Sequence, residues 1–469
     1  MDIFLQKIKR FIPKKLFGLL WPLYHFFLGV IGNVLYRWPS HKLIVIGVTG
    51  TTGKTTTVYL IAKLLQAAGY KTGYTSTAMF GDGEKEWLNN KKMTMVGRLF
   101  THKLLRTMVK NGCRFAVIET SSEGIIQYRH RFINYDTLLF TCLYPEHIEA
   151  HGSFENYKEA KGMLFAHLKD CKTKYQDDEY FVKRTSSNLQ KLNLNRVKKT
   201  IIANGDDSHA QYFLDFWAER KIIYGREEKR DEENKIFSDK TIEKIEAEKL
   251  IKDEKTFLRI GDFDFPVNLT GDFNLTNALA AVSVCLAHGI SQEKIVAGLS
   301  LVSGVPGRLE NIEEGQDFTV LVDYAFEPGA VEKLYETVKA MPHRRIIHLL
   351  GSAGGGRDVA RRSVLGDLAG RLADIVIVTD EDPYDEEPLS IIAQVAAGAE
   401  KAGKVPNKDL FTILDRRQAI TKAFSLAGIE DVVLITGKGS EQAICRKGGL
   451  KEPWDDREVS REELRKILK

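Results

Sequence analysis

An apolar run, Leu43-Ile44-Val45-Ile46-Gly47-Val48, leads into the turn Gly50-Thr51-Thr52-Gly53-Lys54-Thr55-Thr56 and then into a helical stretch, Thr57 to Ala67. Strand, glycine turn, lysine, hydroxyl and helix, in that order, commit the chain to an α/β layer with a triphosphate at the helix N-terminus. Glycines let backbone N–H groups turn inward around phosphate oxygens, and the helix points its positive end at them. Lys54 is placed to bridge the outer phosphates, and the Thr55 hydroxyl to ligate Mg²⁺. Gly50, Thr51, Thr52, Gly53 and Thr56 complete the cradle. The spacing departs from the strict motif at one position: Val48 stands where a glycine is usual, and Gly50 supplies the early bend. The sequence predicts a site for ATP or GTP.

A chain of 469 residues has room for about two or three domains. Hydrophobic content of 43% and charged content of 28% are those of a globular protein with more than one core. A net charge of +5 is too small at this length to argue for nucleic acid. The five cysteines are scattered without CxxC spacing, which fits a reducing cytoplasm better than a disulfide framework. Residues 1–42 differ in character. Lys7, Lys9, Arg10, Lys14 and Lys15 precede Phe17 to Tyr36, an apolar stretch whose helix would reach roughly 30 Å. No small-residue cleavage site marks a signal peptide. A spanning helix with its basic end inside would put the nucleotide loop on the wrong side of the membrane. The reading that remains is a helix lying in the membrane plane or packed on the core, with the protein at the inner face of the membrane or free in the cytoplasm.

From Leu43 onward apolar strands alternate with helical patterns, which predicts two α/β units with parallel sheets. Leu43–Val48, Phe115–Ile118 and Thr137–Phe140 belong to the first; Phe318–Val322, Arg345–Leu350, Asp374–Val378 and Asp431–Ile435 to the second. Glu227 to Lys255 is densely charged and reads as solvated surface, followed by an alanine-rich helix, Asn274 to Ala287. The breaker Val305-Pro306-Gly307-Arg308 sets a boundary, giving units at 43–304 and 305–469. Each strand of the second unit runs into a polar or glycine-rich loop: Asp323-Tyr324, Gly351 to Asp358, Thr379 to Pro383 and Thr436 to Glu441. Ligands of open α/β sheets bind outside the carboxyl ends of strands, so these loops predict a second site facing the first unit.

Glu119 closes the strand after the nucleotide loop, where a carboxylate can meet Mg²⁺ on the phosphates. Further on, His147 and His151 stand among acids, but nothing at ligand spacing completes a zinc set.

Together these elements resemble the Mur ligases, the ATP-dependent amide-forming enzymes that build the peptidoglycan stem peptide. The residues that carry the resemblance are Gly50 to Thr56, Glu119-Thr120-Ser121-Ser122, Glu146-His147 with His151-Gly152, Ala160-Lys161, Gly271-Asp272-Phe273-Asn274, Val305 to Arg308, Asp323-Tyr324-Ala325, Gly355 to Asp358 and Gly437 to Glu441. It extends from about residue 43 to the C-terminus and looks nearest to the branch that adds the third amino acid to UDP-N-acetylmuramoyl-dipeptide. Such ligases phosphorylate a carboxylate with ATP and let an amine attack the acyl phosphate. The resemblance implies a P-loop central domain and a Rossmann-like C-terminal α/β domain. It places Lys54 and Thr55 on the triphosphate, with Glu119 and His147 on two Mg²⁺ ions. Lys161 matches the lysine that the family carbamylates in support of the second metal. Asn274 and Asn277 match the adenine segment, and Arg308 and Asp323 match residues that reach the nucleotide. Ser121, Ser122, Arg357, Asp382 and Glu441 match substrate-binding positions, the last three where the incoming amino acid binds. Partners are then a cell-wall precursor peptide and a free amino acid, for a chain acting as a monomer.

Three departures are visible. The family's N-terminal domain for the uridine nucleotide has no room before Leu43, which leaves both UDP-linked and lipid-linked acceptors open. The Asp-Asn-Pro-Arg signature of diaminopimelate-adding members is replaced by Glu381-Asp382-Pro383-Tyr384, which favours an acceptor such as lysine or ornithine. Phe326 and Cys142 stand where histidine and asparagine are usual. A folylpolyglutamate-synthetase-like ligase on the same scaffold is the second reading, and a P-loop binding protein without catalysis the third.

Overall fold

The computed structural model describes residues 26–146, 151–175, 184–185, 188–189, 196–229, 239–356 and 359–468. Their architecture is built on two sheets.

The first sheet has eleven strands. In chain order they are β1 (Ile44–Thr49), β2 (Thr72–Thr75), β3 (Met79–Gly81), β4 (Glu86–Leu88), β5 (Phe115–Glu119), β6 (Thr137–Phe140), β7 (Thr200–Asn204), β8 (Arg220–Arg226), β9 (Glu243–Lys252), β10 (Lys255–Ile260) and β11 (Phe263–Pro266). Their spatial order is β11-β10-β9-β8-β7-β6-β1-β5-β2-β3-β4. From β2 to β9 every pairing is parallel, and antiparallel ribbons extend both edges. Helices α1 (Lys54–Ala67), α2 (Arg98–Lys110), α3 (Ser122–Ile126) and α4 (Phe154–His167) follow β1, β4, β5 and β6. Strand β1 is buried along its whole length, as its unbroken apolar sequence demands of a parallel strand covered on both faces. One core, including Ile46 and Val48 with Leu60 and Leu64 of α1, lies on one side of the sheet. A second, including Val45, Phe140 and Phe165, lies on the other.

The described residues of the charged tract after Glu227 are largely exposed, as its composition predicts, but the tract is not only surface decoration. Strand β9 lies within it and pairs in parallel with β8 before pairing antiparallel with β10. Its anchor is Ala247, fully buried between half-buried Glu246 and exposed Glu248. Ile245, two residues earlier on the same face, packs half-buried against the same core, and the pair fixes which face turns inward.

The second sheet comprises β12 (Glu310–Asn311), β13 (Thr319–Val322), β14 (Ile346–Leu350), β15 (Ile375–Thr379), β16 (Leu410–Ile413) and β17 (Val432–Ile435), in the order β12-β13-β17-β14-β15-β16. All pairings but that of β12 are parallel. The strands expected in this unit lie within about a residue of where their apolar runs placed them. Arg416 holds the carboxyl ends of β15 and β17 together. Its guanidinium donates to the carbonyls of Asp380 at 3.0 Å and Thr436 at 2.8 Å, and pairs with the buried Asp456 at 2.6 Å.

Residues 26–35 form a helix whose Gly29 packs on Phe132 and whose Gly32 faces His102. Phe27, Ile31, Val34 and Leu35 lie on its exposed side. Residues 17–25 of the apolar stretch read from the sequence lie outside the described residues. Among the described residues no helix is long and apolar enough to cross a membrane.

Candidate active site

The turn after β1 is held from three sides. Thr51 N–H donates to the Cys142 carbonyl at 2.8 Å, while its hydroxyl lies 3.3 Å from Tyr144 N and 3.2 Å from the Tyr157 hydroxyl. Thr141 donates to the Thr52 carbonyl at 2.7 Å, and the Thr52 hydroxyl lies 3.3 Å from Cys142 Sγ. Gly53 has φ of 79° and caps helix α1. A Cβ there would lie 2.3 Å from Asn277 Oδ1, so both backbone and neighbour require glycine. Asn277 in turn donates to Asn274 Oδ1 at 2.9 Å, which brings the two asparagines singled out from sequence onto the turn as a linked pair.

Thr55, the second residue of α1, places its hydroxyl 3.1 and 3.0 Å from the two oxygens of Glu119 at the end of β5. Glu119 is buried, and it also accepts from Thr77 N at 2.6 Å and the Thr77 hydroxyl at 2.9 Å. These partners are hydroxyls and an amide, which orient the carboxylate without neutralising it.

Two lysines meet at one carbonyl. Lys54 Nζ donates to the carbonyls of Gly50 at 3.0 Å and Thr51 at 2.5 Å; Lys161 Nζ donates to that of Gly50 at 2.7 Å and sits over the Tyr157 ring. Lys161 lies on α4, a helix started by the Ser153 side chain accepting from Asn156 N. Burial first, and then Lys54, push the Lys161 ammonium well below its ordinary pKa, so it holds its proton weakly. Glu146 faces the same lysines. Burial and the nearby Glu327 raise its carboxyl to about 7, against the pull of Lys54, Lys161 and Arg361. Glu327 itself pairs with Arg361 at 2.6 Å.

Ser121 accepts from Gly124 N at 3.2 Å and so caps the short helix α3; Ser122 meets His151 Nε2 at 3.1 Å. Thr56, like Thr55, is buried at the start of α1.

The second unit reaches this site through its hinge. Arg308 Nη2 lies 3.3 Å from the Thr55 hydroxyl, with its guanidinium over the Tyr324 ring. Asp323 accepts from Leu309 N at 2.7 Å and Ala325 N at 2.6 Å, fixing the turn that aims Arg308. Gly307 has φ of 65°, and a Cβ on it would lie 2.1 Å from Ser440 N. The hinge therefore packs directly on the loop after β17.

Asp382 and Glu441 come together at the carboxyl ends of the second sheet, where two lysines bridge them. Lys438 Nζ lies 2.9 Å from Asp382 and 2.6 Å from Glu441. Lys92, from the loop after β4 in the first unit, lies 2.7 Å from Asp382 and 3.0 Å from Glu441. Burial raises the Asp382 carboxyl, but Lys438 and Lys92 outweigh it and hold the group below its ordinary value. Beside it, burial and Asp382 push Glu381 up to about 7.

Of the residues singled out in the sequence, His147 and Arg357 lie outside the described residues. The others fall into two groups, one around the turn Gly50–Thr56 and one around Asp382 and Glu441. Sequence reasoning missed Lys92, Glu327, Arg361 and Arg416. Lys438 stood inside a quoted motif and was passed over. The signal for Lys92 was absent, because its partners lie 290 residues or more away in sequence.

The turn Gly50–Thr56 on one unit and the Asp382–Glu441 cluster on the other are joined through Arg308 and Lys92, and the proteins this chain is similar to are nucleotide-dependent ligases that join an amine to a carboxylate. The particular family follows from comparison. Residues 48–198 match the Mur ligase middle domain and residues 307–439 the Mur ligase glutamate ligase domain. The chain is 37% identical over 451 residues to the UDP-N-acetylmuramyl-tripeptide synthetase of Roseiflexus sp. (strain RS-1), covering 94% of this chain and 82% of that protein. It is 34% identical to the UDP-N-acetylmuramoyl-L-alanyl-D-glutamate--2,6-diaminopimelate ligase of Geobacillus kaustophilus (strain HTA426), covering 92% and 81%. Among solved structures, a diaminopimelate ligase of that name aligns with a TM-score of 0.55 at 25% identity, covering 91% of this chain and 79% of that one. The folylpolyglutamate synthase of Mycobacterium tuberculosis shares the fold, with a TM-score of 0.60 at 17% identity and coverage of 88% and 92%. The chain belongs to the Mur ligase family.

Proposed function

We propose that the chain joins a free amino acid to the carboxylate of a peptidoglycan-precursor peptide, as the third residue of the stem, with ATP converted to ADP and phosphate. The observation that carries this reading is the approach of the two units. The Thr55–Glu119 pair of the nucleotide turn touches the hinge Arg308, and the Asp382–Glu441 pocket lies on loops of the same second unit.

Lys54 and the backbone of Gly50 to Gly53 hold the triphosphate, with Thr56 and helix α1 at its base and Asn274 and Asn277 beside the nucleotide. The precursor carboxylate takes the γ-phosphoryl group and becomes an acyl phosphate; the amine attacks its carbonyl, and phosphate leaves as the amide forms. Arg308 and Asp323 close over the nucleotide, excluding water from the acyl phosphate. Glu441 and Asp382 receive the cationic part of the amino acid, and Arg357 its carboxylate. Ser121 and Ser122 lie toward the precursor.

The donor set suits Mg²⁺: a hard cation prefers oxygen ligands, and the Thr55 hydroxyl and Glu119 carboxylate already converge. Thr55, Glu119 and His147 would hold such ions, which supply positive charge between two anionic substrates. Lys161 is suited to carbamylation. Burial favours its neutral amine, which adds to CO₂ through Nζ, releases a proton and becomes an anionic carbamate. The deciding experiment pairs ATP with muramoyl peptides and a panel of amino acids, scored by phosphate and amide. Absence of product with every pair sinks the reading. Lys161→Ala is expected to lose activity and regain part of it with added formate or acetate; full activity without rescue would remove the carbamate role.

A second feature concerns place in the cell. The exposed apolar side of residues 26–35, next to the basic residues Lys7 to Lys15 in sequence, favours contact with an anionic lipid surface from the cytoplasmic side. Flotation with vesicles containing phosphatidylglycerol tests it, and equal recovery with neutral vesicles would count against the charge term. Size-exclusion with light scattering is expected to give a monomer.

A further inference from the structure

Lys92 belongs to the nucleotide-binding unit, yet its ammonium is buried in the other unit. Nζ donates to both Asp382 oxygens at 2.8 and 2.7 Å and to the Ala443 carbonyl at 2.7 Å, and lies 3.0 Å from Glu441. Its side chain is only 6% exposed. Lys438 binds the same two carboxylates from within its own loop. The pocket thus holds two ammonium groups against two carboxylates and is formally neutral.

These two ammonium groups differ in how they are tethered. Lys438 is fully buried on the loop that also carries Glu441, so it stays with its partners. Lys92 arrives across the gap between units and leaves if they part. Its departure leaves one unbalanced negative charge and a free carbonyl: a vacancy shaped for one ammonium group.

Resting on the assignment of Asp382 and Glu441 to the amino-acid pocket, we propose that Lys92 is a specificity-determining placeholder. It occupies the subsite for the side-chain ammonium of a diamino acid, and that ammonium displaces it. An internal occupant weakens apparent affinity by the fraction of molecules in which it sits in place. It also keeps one uncompensated carboxylate charge from being buried in the absence of substrate.

The loop that carries Lys92 is anchored in the first unit. Asn89 pins it by donating to Ser76 O at 2.8 Å and Met93 O at 3.0 Å. Thr94, two residues past Lys92, lies 3.0 Å from the Thr77 hydroxyl, which donates to Glu119.

The test is calorimetric binding of L-lysine and its neutral isostere L-norleucine to the full-length protein and to Lys92→Met and Lys92→Arg, in the presence of ADP and Mg²⁺. For Lys92→Met the dissociation constant for lysine is expected to fall about tenfold while that for norleucine stays within about twofold. Lys92→Arg, which keeps the charge, is expected to resemble the parent. In turnover, Lys92→Met is expected to lower KM for lysine without changing KM for ATP. An unchanged or weaker affinity for lysine overturns the proposal, as does an equal gain for both amino acids. Thermal unfolding of both variants identifies loss of fold, in which case Lys92→Arg against Lys92→Gln repeats the comparison. Tighter lysine binding without amide formation would instead remove the ligase reading and leave the placeholder standing.

Discussion

The two poles of the cleft handle positive charge in opposite ways. At the nucleotide turn, Lys54 and Lys161 rest on backbone carbonyls of Gly50 and Thr51, and neither forms an ion pair among the described residues. At the carboxyl ends of the second sheet, Lys92 and Lys438 are matched one for one by Asp382 and Glu441. A carbonyl holds an ammonium in place without neutralising it, which leaves the charge of Lys54 for a polyanion. A carboxylate neutralises it, which leaves the pocket selective but without net charge. Turns built from main-chain carbonyls thus suit a ligand that brings its own charge, and paired side chains suit one that must exchange for charge already there.

The comparison breaks most severely at the turn. Lys54→Ala removes the lysine that helix α1 itself places at the turn, and kcat is expected to fall by at least about 10²–10³-fold, with amino-acid affinity unchanged by calorimetry. An equal loss of both would mean the poles are not separable. Asp382→Asn leaves two ammonium groups on one carboxylate. It is expected to destabilise the protein by about 3 kcal/mol in denaturant unfolding and to raise KM for the amino acid. Gly307→Ala strains a left-handed backbone and drives a Cβ into Ser440 N; a loss of about 1–3 kcal/mol is expected from thermal unfolding.

The smallest effect is a pH dependence shared by both poles. Glu146 and Glu381 each have a carboxyl raised by burial to about 7. The unfolded chain releases these protons near pH ~4.3, so the folded state binds more protons between that value and 7. Their contribution to stability is complete below the lower value and is lost as pH rises through 7. Glu146→Gln and Glu381→Gln are each expected to flatten that decline in unfolding measured from pH 4 to 8, and a parallel curve would remove the glutamate concerned.

Local order was readable wherever one chain segment decides it. The turn Gly50–Thr56 could be read because strand, glycines, lysine and helix are contiguous, and the second-sheet strands because parallel strands bury unbroken apolar runs. Strand β9 hid because its only buried residue, Ala247, sits among charges that speak for solvent. In the site, Thr55 and Glu119 could be paired because Thr55 follows, and Glu119 closes, an apolar strand that leads into a helix. Lys92 could not: its loop has no motif, and its meaning comes from carboxylates on another unit. Ser121 was read as touching substrate, and its side chain also has the local task of starting helix α3.

Gly307 sets a constraint on how such an enzyme can diversify. Its backbone lies against Gly439 and Ser440, on the loop that carries Lys438 and Glu441. The turn at Gly307 and the loop bearing Lys438 and Glu441 are thus in direct backbone contact. A lineage that reshaped that loop would also shift the turn. Changes of diet at this pole are then expected to arrive coupled with changes of gait, and compensating substitutions should cluster at Val305–Leu309 rather than around the pocket itself.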